Sequence, residues 1–386
     1  MSLEKEDCES ITKEMKRLDK EIDKLNGYKF ILPNKKVVLV KYEIYKTMFD
    51  GKCVNSLVDN QATSRRPMCL KTAHQFGNSS IDFTPKESSL SFGLSLLHAE
   101  IKAFKHLLHL SYRLELDPPG WDVHKFKERK FKIQRVLYER FGIKVDLCLQ
   151  GHGTTNTGNL ARRCFIDPKL FDTCLELDSK LVENLAYIIL CFKSKQTLDL
   201  DKLEKFCHET YWYHYEKYKW SRMNPSTHKL LMHGCQISRK FPLPIQYFSE
   251  DSSEAWHKLN RRNFNNGSRQ TSHANRILDV FNKAIYLSDP KISMVHLQNR
   301  LKFHRTKDYP DEVVDFFVRN TPKNTDDSEK QTTKDRDEDN SSETSDCDEV
   351  ETMISAIAEQ SRNNATELAE VKESLASMKE RHTALC

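Results

Sequence analysis

The stretch 88–116, SSLSFGLSLLHAEIKAFKHLLHLSYRLEL, constrains the fold most. Leu94, Leu97, Ile101, Phe104, Leu107, Leu108 and Leu110 recur at helical steps, and the broad apolar face they make has to be covered by other elements. Asp117-Pro118-Pro119-Gly120 stops that helix, because proline has no amide hydrogen to continue the ladder. The helical period returns along the chain. Residues 3–26 place Ile11, Met15, Leu18, Ile22 and Leu25 on one stripe, 181–192 is nearly all apolar, and 200–218 is helical with aromatic residues expected mostly in the core. A basic helix is expected over 123–141, an amphipathic one over 272–287 and a basic continuation over 291–302. The run 37–45, VVLVKYEIY, has β-branched, aliphatic and aromatic residues over a strand length, and Asp50-Gly51 is expected to close that strand.

A chain of 386 residues can bury one large or two modest cores, which leaves both enzymes and binding domains open. The formal net charge of +5 hides an asymmetry: from Thr321 onward 8 Lys and Arg face 17 Asp and Glu, whereas the residues before it hold 53 against 39. The front is therefore a candidate polyanion binder, with a solvated basic surface as the ordinary alternative. Residues 321–350 read as an acidic, disordered linker. In 351–386, Ile354, Ile357, Leu368, Val371, Leu375 and Met378 keep a heptad pattern, with Asn364 as a register setter. That predicts a coiled coil and a homodimer, or a single helix docked on its own domain.

The 11 cysteines include no CxxC pair. With no signal peptide and no apolar run near the roughly 20 residues that span a bilayer, they read as reduced thiols of an intracellular protein, neither secreted nor in a membrane. The loop 151–159, GHGTTNTGN, lacks the GK[ST] ending of a P-loop, so no nucleotide cofactor is expected. It does run into a helix start with Arg162 and Arg163 behind it, an arrangement that can receive a phosphate.

The stretch 225–264, PSTHKLLMHGCQISRKFPLPIQYFSEDSSEAWHKLNRRNF, puts His228 and His233 upstream of Glu254, with Lys258, Arg261 and Arg262 following on one helix. An acid able to hold a divalent metal beside cations able to hold phosphate suits phosphoryl-transfer chemistry. The order HKLLMH, then SEDSSEAWHKLNRRNF, resembles the C-terminal catalytic block of the RAG-type V(D)J recombinase catalytic subunit and the Transib transposases. TGNLARRCF, Thr157 to Phe165, and the segment Leu94 to Leu110 are further matches, and the similarity spans roughly residues 4–289.

The resemblance implies an α/β, helix-rich chain. Residues 1–84 would carry an N-terminal helix and part of an RNase H-like core, 85–244 a long helical insertion, and 245–320 the helix of the last acid with further helices. DDE recombinases hold two Mg²⁺ or Mn²⁺ ions between three carboxylates to cleave and transfer DNA strands. Glu254 matches the third acid, with Glu250 close enough to compete and an exposed helical glutamate as the ordinary reading. Asp50 matches the second, against a plain Asp-Gly turn. The first lies on an earlier strand of the family; Asp7, Asp19 and Asp23 sit on the opening helix and do not replace it, so the chain as given is expected to be catalytically incomplete.

A zinc site is also implied. Cys69 matches the second cysteine of a CxxC half-site in which Arg66 stands where the first would be, and His228 and His233 match its histidines. Five residues span about 140° around an ideal helix, so the pair is expected to need a helix end or irregular turn, the alternative being two histidines on a polar helix end. The position matching the family's base-stabilising tryptophan falls near Leu198. DNA as partner and a nuclear location follow from the resemblance alone. The rival expectation is a non-enzymatic helical scaffold dimerising through 351–386.

Overall fold

Helix dominates the computed structural model, which describes residues 8–25, 27–32, 35–41, 43–45, 51–57, 68–114, 116, 122–149, 153–301 and 309–318. α1 (Cys8–Ile22) leads to β1 (Tyr28–Ile31), β2 (Val37–Val40) and α2 (Gly51–Leu57). α3 (Glu87–Leu90), α4 (Leu96–Tyr112) and α5 (Val123–Phe141) follow, then the short strands β3 (Cys148–Leu149) and β4 (Gly153–Thr154). Next come α6 (Gly158–Ile166), α7 (Pro168–Leu175), α8 (Ser179–Phe192), α9 (Leu200–Lys217) and α10 (Pro225–Ser238). A 3-10 turn at Ile245–Phe248 precedes α11 (Asp251–Asn266), α12 (His273–Leu287), α13 (Pro290–Leu301) and α14 (Asp311–Val314).

Local signals set most of these boundaries. Asp122, Asp167, Asp178, Asp199 and Asn224 are the N-caps of α5, α7, α8, α9 and α10, each accepting a backbone N–H of the first turn. Such a cap contributes about 1 kcal/mol. Pro168 and Pro225 occupy first-turn positions where no amide hydrogen is needed. α5 matches the expected basic helix to the residue, because Gly142 ends it in the left-handed region at φ +64°. The apolar helix expected over 88–116 is shorter: Gly93, at φ +63°, separates α3 from α4.

The chain divides into two compact units, Met1–Asp23 with Ile44–Lys258 and Lys307–Thr321, and Lys24–Glu43 with Leu259–Thr306 and Pro322–Cys386. In the first, α8 is the innermost helix. Leu181, Val182, Leu185, Ala186, Ile188, Ile189, Cys191 and Phe192 are all buried, as an all-round apolar sequence requires. α7 and α9 pack on it, α4 packs on α6 and α10, and α10 lies along α9. Full burial of side chains such as Phe104, Phe192 and Leu107 contributes roughly 1.5–3 kcal/mol each as an upper estimate. In the second unit, β1 and β2 pair antiparallel, with Tyr28 opposite Val40 and Ile31 opposite Val37, and α12 packs on α13.

The strand expected over 37–45 is shorter. β2 ends at Val40 and alternates exposed and half-buried residues, the pattern of a ribbon covered on one face. Gly51 opens α2. Asp50 itself lies outside the described residues, as do Arg66, the acidic stretch 321–350 and the heptads of 351–386. The described strands form two separate two-stranded antiparallel ladders, and a multi-stranded RNase H-like sheet is not among them. No helix among the described residues is long and apolar enough to cross a membrane.

Candidate metal centre

Cys69, His228 and His233 meet in the interior of the larger unit. All three are buried, and one ligand atom from each lies within 4.8 Å of the others. Cys69 Sγ stands 3.6 Å from His228 Nε2. Zn–S of about 2.3 Å and Zn–N of about 2.0–2.1 Å at a tetrahedral angle separate S from N by about 3.5–3.6 Å, so this pair already has the span a shared ion needs.

The hydrogen bonds at Nδ1 fix which nitrogen each imidazole presents. Tyr211 Oη donates to the Phe76 carbonyl at 2.5 Å, which leaves it to accept from His228 Nδ1 at 3.2 Å. His228 Nε2 therefore faces the thiol with its lone pair. His233 Nδ1 donates to Gln236 Oε1 at 3.0 Å, and its Nε2 is buried without a hydrogen-bond partner. Burial lowers the His233 pKa to about 4, which keeps the ring neutral near pH 7. Two imidazoles oriented through Nδ1, one of them with an orphaned Nε2, and a convergent thiol make a donor set suited to zinc. The Phe76 ring, fully buried, stacks on His228 at 3.8 Å between centroids, and Phe83 meets it edge-on.

The expected break between the two histidines does not occur: α10 is one continuous helix from Pro225 to Ser238. Side chains on a helix tilt toward its N-terminus, so His233 leans back along the helix toward His228. Their rings come within 5.3 Å, nearly perpendicular, and grip the space beside the helix from two sides. Gly234 lets α10 approach closely here; a Cβ at that position would sit 2.7 Å from Phe192 Cζ.

The acids fall differently from expectation. Glu254 lies in the first turn of α11 and is exposed, whereas Glu250 is 6% exposed and tied to α4. The N-cap Ser95 makes no side-chain bond to a backbone amide of its own helix, its Oγ lying 2.7 Å from His98 Nδ1. Glu250 Oε1 serves instead, accepting from the His98 amide at 3.3 Å, from His98 Nδ1 at 3.2 Å and from Ser95 Oγ. Burial opposes ionisation of Glu250, but the bonds from His98 and Ser95 outweigh it and hold the pKa at about 2. A carboxylate at a helix N-terminus is a stabilising arrangement in itself. Among the described residues, neither Glu250 nor Glu254 belongs to a cluster of three metal-ligating side chains.

The cations singled out for DNA also separate. Lys258, Arg261 and Arg262 are exposed along α11. Arg163, though exposed, donates to the Phe141 carbonyl, and Arg162 lies 4.0 Å from the buried Glu100 carboxylate, whose close partner is Lys193 at 2.6 Å. Within the basic α5, Arg129 is buried, donating to the Ser111 carbonyl at 2.6 Å and pairing with Glu176 at 3.0 Å. Leu198 forms an antiparallel bridge with Phe317. A cavity of about 800 Å³ along α8 and α9, lined by Asp201, Glu204 and Trp212 among others, involves none of the three ligand residues.

Two residues that orient the centre, Tyr211 and Gln236, escaped sequence reasoning. Gln236 follows His233 by three residues on the same helix face, a signal that was there to read. Tyr211 reaches His228 from α9, and nothing in a linear pattern marks it among the neighbouring tyrosines. A scan against protein-family models finds no match for this chain, and a search of curated proteins finds no similar sequence.

Proposed function

We propose that the chain is a transposase-derived DNA-binding protein, related to the RAG-type and Transib recombinases, in which Cys69, His228 and His233 hold a structural zinc ion. The observation that carries this reading is the meeting of a cysteine from an irregular segment with two histidines on one helix, the trio that the sequence resemblance implies. The ion would fix the segment around Cys69 against α10, and metal affinity would depend on pH because the thiol must release its proton. A water or a further side chain would complete four-fold coordination.

In this reading Asp50 and Glu254 descend from two acids of a DDE triad in an RNase H-like core that once held Mg²⁺ or Mn²⁺, and the chain as given binds DNA without cutting it. Lys258, Arg261 and Arg262, exposed on α11, are the cations best placed to meet a phosphate backbone, and the location would be nuclear. The test is DNA binding by the purified chain at rising salt. Binding that weakens linearly with log salt supports the reading, each lost phosphate contact reducing the slope by about 1; affinity indifferent to salt counts against it. Nicking in Mg²⁺ or Mn²⁺ that vanishes in Glu254→Ala would refute the incompleteness.

A second reading, a non-enzymatic interaction scaffold, is favoured by one observation. Ile277, Leu278, Phe281, Ile285 and Tyr286 form an exposed apolar face on α12, more than a solvated helix needs. That reading predicts self-association through 351–386 and no affinity for DNA at any salt concentration.

A further inference from the structure

Basic residues along one face of α4 line a small pocket. Lys102, Lys105, His106, His109 and Arg113 line it from α4, and Arg222 closes it from the loop before α10. Ser221 and Asn224 supply polar groups at the rim, and among the described residues no aspartate or glutamate lines it. Its volume of about 240 Å³ is below the roughly 300–1,000 Å³ of pockets for drug-sized organic ligands, so a compact anion suits it better. From outside it, Asp146 approaches His109 at 3.5 Å.

The pocket floor carries the field of these groups. His106 and His214 share a hydrogen bond between their Nε2 atoms at 3.0 Å, so one of the two nitrogens donates and the other accepts. Burial lowers the His106 pKa, and the neighbouring His214, His109 and Arg113 lower it further; burial likewise brings His214 down to about 4. Holding the three cations Lys102, Lys105 and Arg222 around such a floor is unfavourable by itself, and an anion among them removes the repulsion. Arg222 is steered into place by His74 Nε2 at 3.2 Å, and Asn224 Nδ2 donates to the Lys102 carbonyl at 2.9 Å, which fixes the loop against α4.

We propose that this pocket is a phosphate-binding site, taking a compact oxyanion between Lys102, Lys105 and Arg222. The proposal stands on the shape and charge of the pocket and does not depend on the recombinase reading. The same chemistry serves a free polyphosphate or the phosphodiester of a nucleic acid, and the experiment separates them. The full chain is titrated calorimetrically with inorganic pyrophosphate in phosphate-free buffer, and in parallel with a short DNA duplex. Two independent variants, Lys105→Gln/Arg222→Gln and Lys102→Gln/His109→Gln, are compared, with thermal melting to confirm that each remains folded.

A charge-assisted hydrogen bond contributes about 1.5–3 kcal/mol, so losing one weakens binding roughly 10-fold or more. Pyrophosphate affinity that falls by that factor in both variants, with DNA affinity unchanged, identifies a free phosphate ligand. DNA affinity and its salt slope falling together in both, whether or not pyrophosphate binds, identifies a backbone phosphate. Titrations that match the wild type in both folded variants overturn the site.

Discussion

Cys69 Sγ and His228 Nε2 lie 3.6 Å apart although 159 positions separate them in the chain. An irregular segment and a helix are thus brought to ligand distance in the interior, with His233 completing the trio. Purified protein is expected to carry about one zinc per chain by elemental analysis. Cys69→Ser and His233→Ala should each lose it, and a chelator should lower the melting temperature of the wild type but not of the variants. Equal zinc content in all three proteins would rule the centre out.

Glu250 and Glu254 are expected to behave oppositely. Glu250, held at about 2 by His98 and Ser95 against an ordinary value of 4.5, binds fewer protons folded than unfolded. Its contribution is therefore present above pH 4.5 and is lost as pH falls toward 2, about 2–3 kcal/mol in all. Urea unfolding at a series of acid pH values should show that loss, and Glu250→Gln should flatten it. Glu254→Gln, on an exposed turn, should shift stability by no more than about 0.5 kcal/mol.

Gly234→Ala drives a methyl group toward Phe192, whose ring lies 2.7 Å from where the Cβ would be. Overpacking of this kind costs about 1–3 kcal/mol. Denaturant midpoints should show it, and Phe192→Leu in the same chain should recover part of the loss, which an ordinary helix-propensity effect would not.

Arg129 and Arg135 both belong to the basic helix α5 but sit in different environments. Arg129 is buried on Glu176 and the Ser111 carbonyl, whereas Arg135 pairs only with Glu139 in solvent. Arg129→Ala is expected to cost about 2–4 kcal/mol through unpaired buried groups, and Arg135→Ala less than about 0.5 kcal/mol. Thermal melts of the two variants decide it.

The legible parts of this chain are those in which neighbours in sequence do the work. Asp122 and Gly142 bracket α5, and the all-apolar run of α8 announces an interior helix. Ser272 caps α12 at the start of the expected span. What was illegible depends on distant packing. No linear pattern says that Glu250 rather than Glu254 is the buried acid, since both precede or open the same helix. The angle between His228 and His233 on an ideal cylinder suggested divergence, and only the backward lean of the rings restores convergence. The cations of α4 were hidden by its apolar face, which dominated the reading of that helix.

Phe76 is fully enclosed although it belongs to a stretch of turns with neither helix nor strand. That stretch is moored by a ring stacked on His228, a carbonyl receiving the Tyr211 hydroxyl and the Cys69 thiol, together with the Arg222–His74 contact and a bond from the Lys86 amide to the Met68 carbonyl. Such moorings release together, because each holds the others in register. If the trio holds zinc as proposed, removing the ion would therefore leave the helical circular dichroism in place while a protease found a new cutting place ahead of α3.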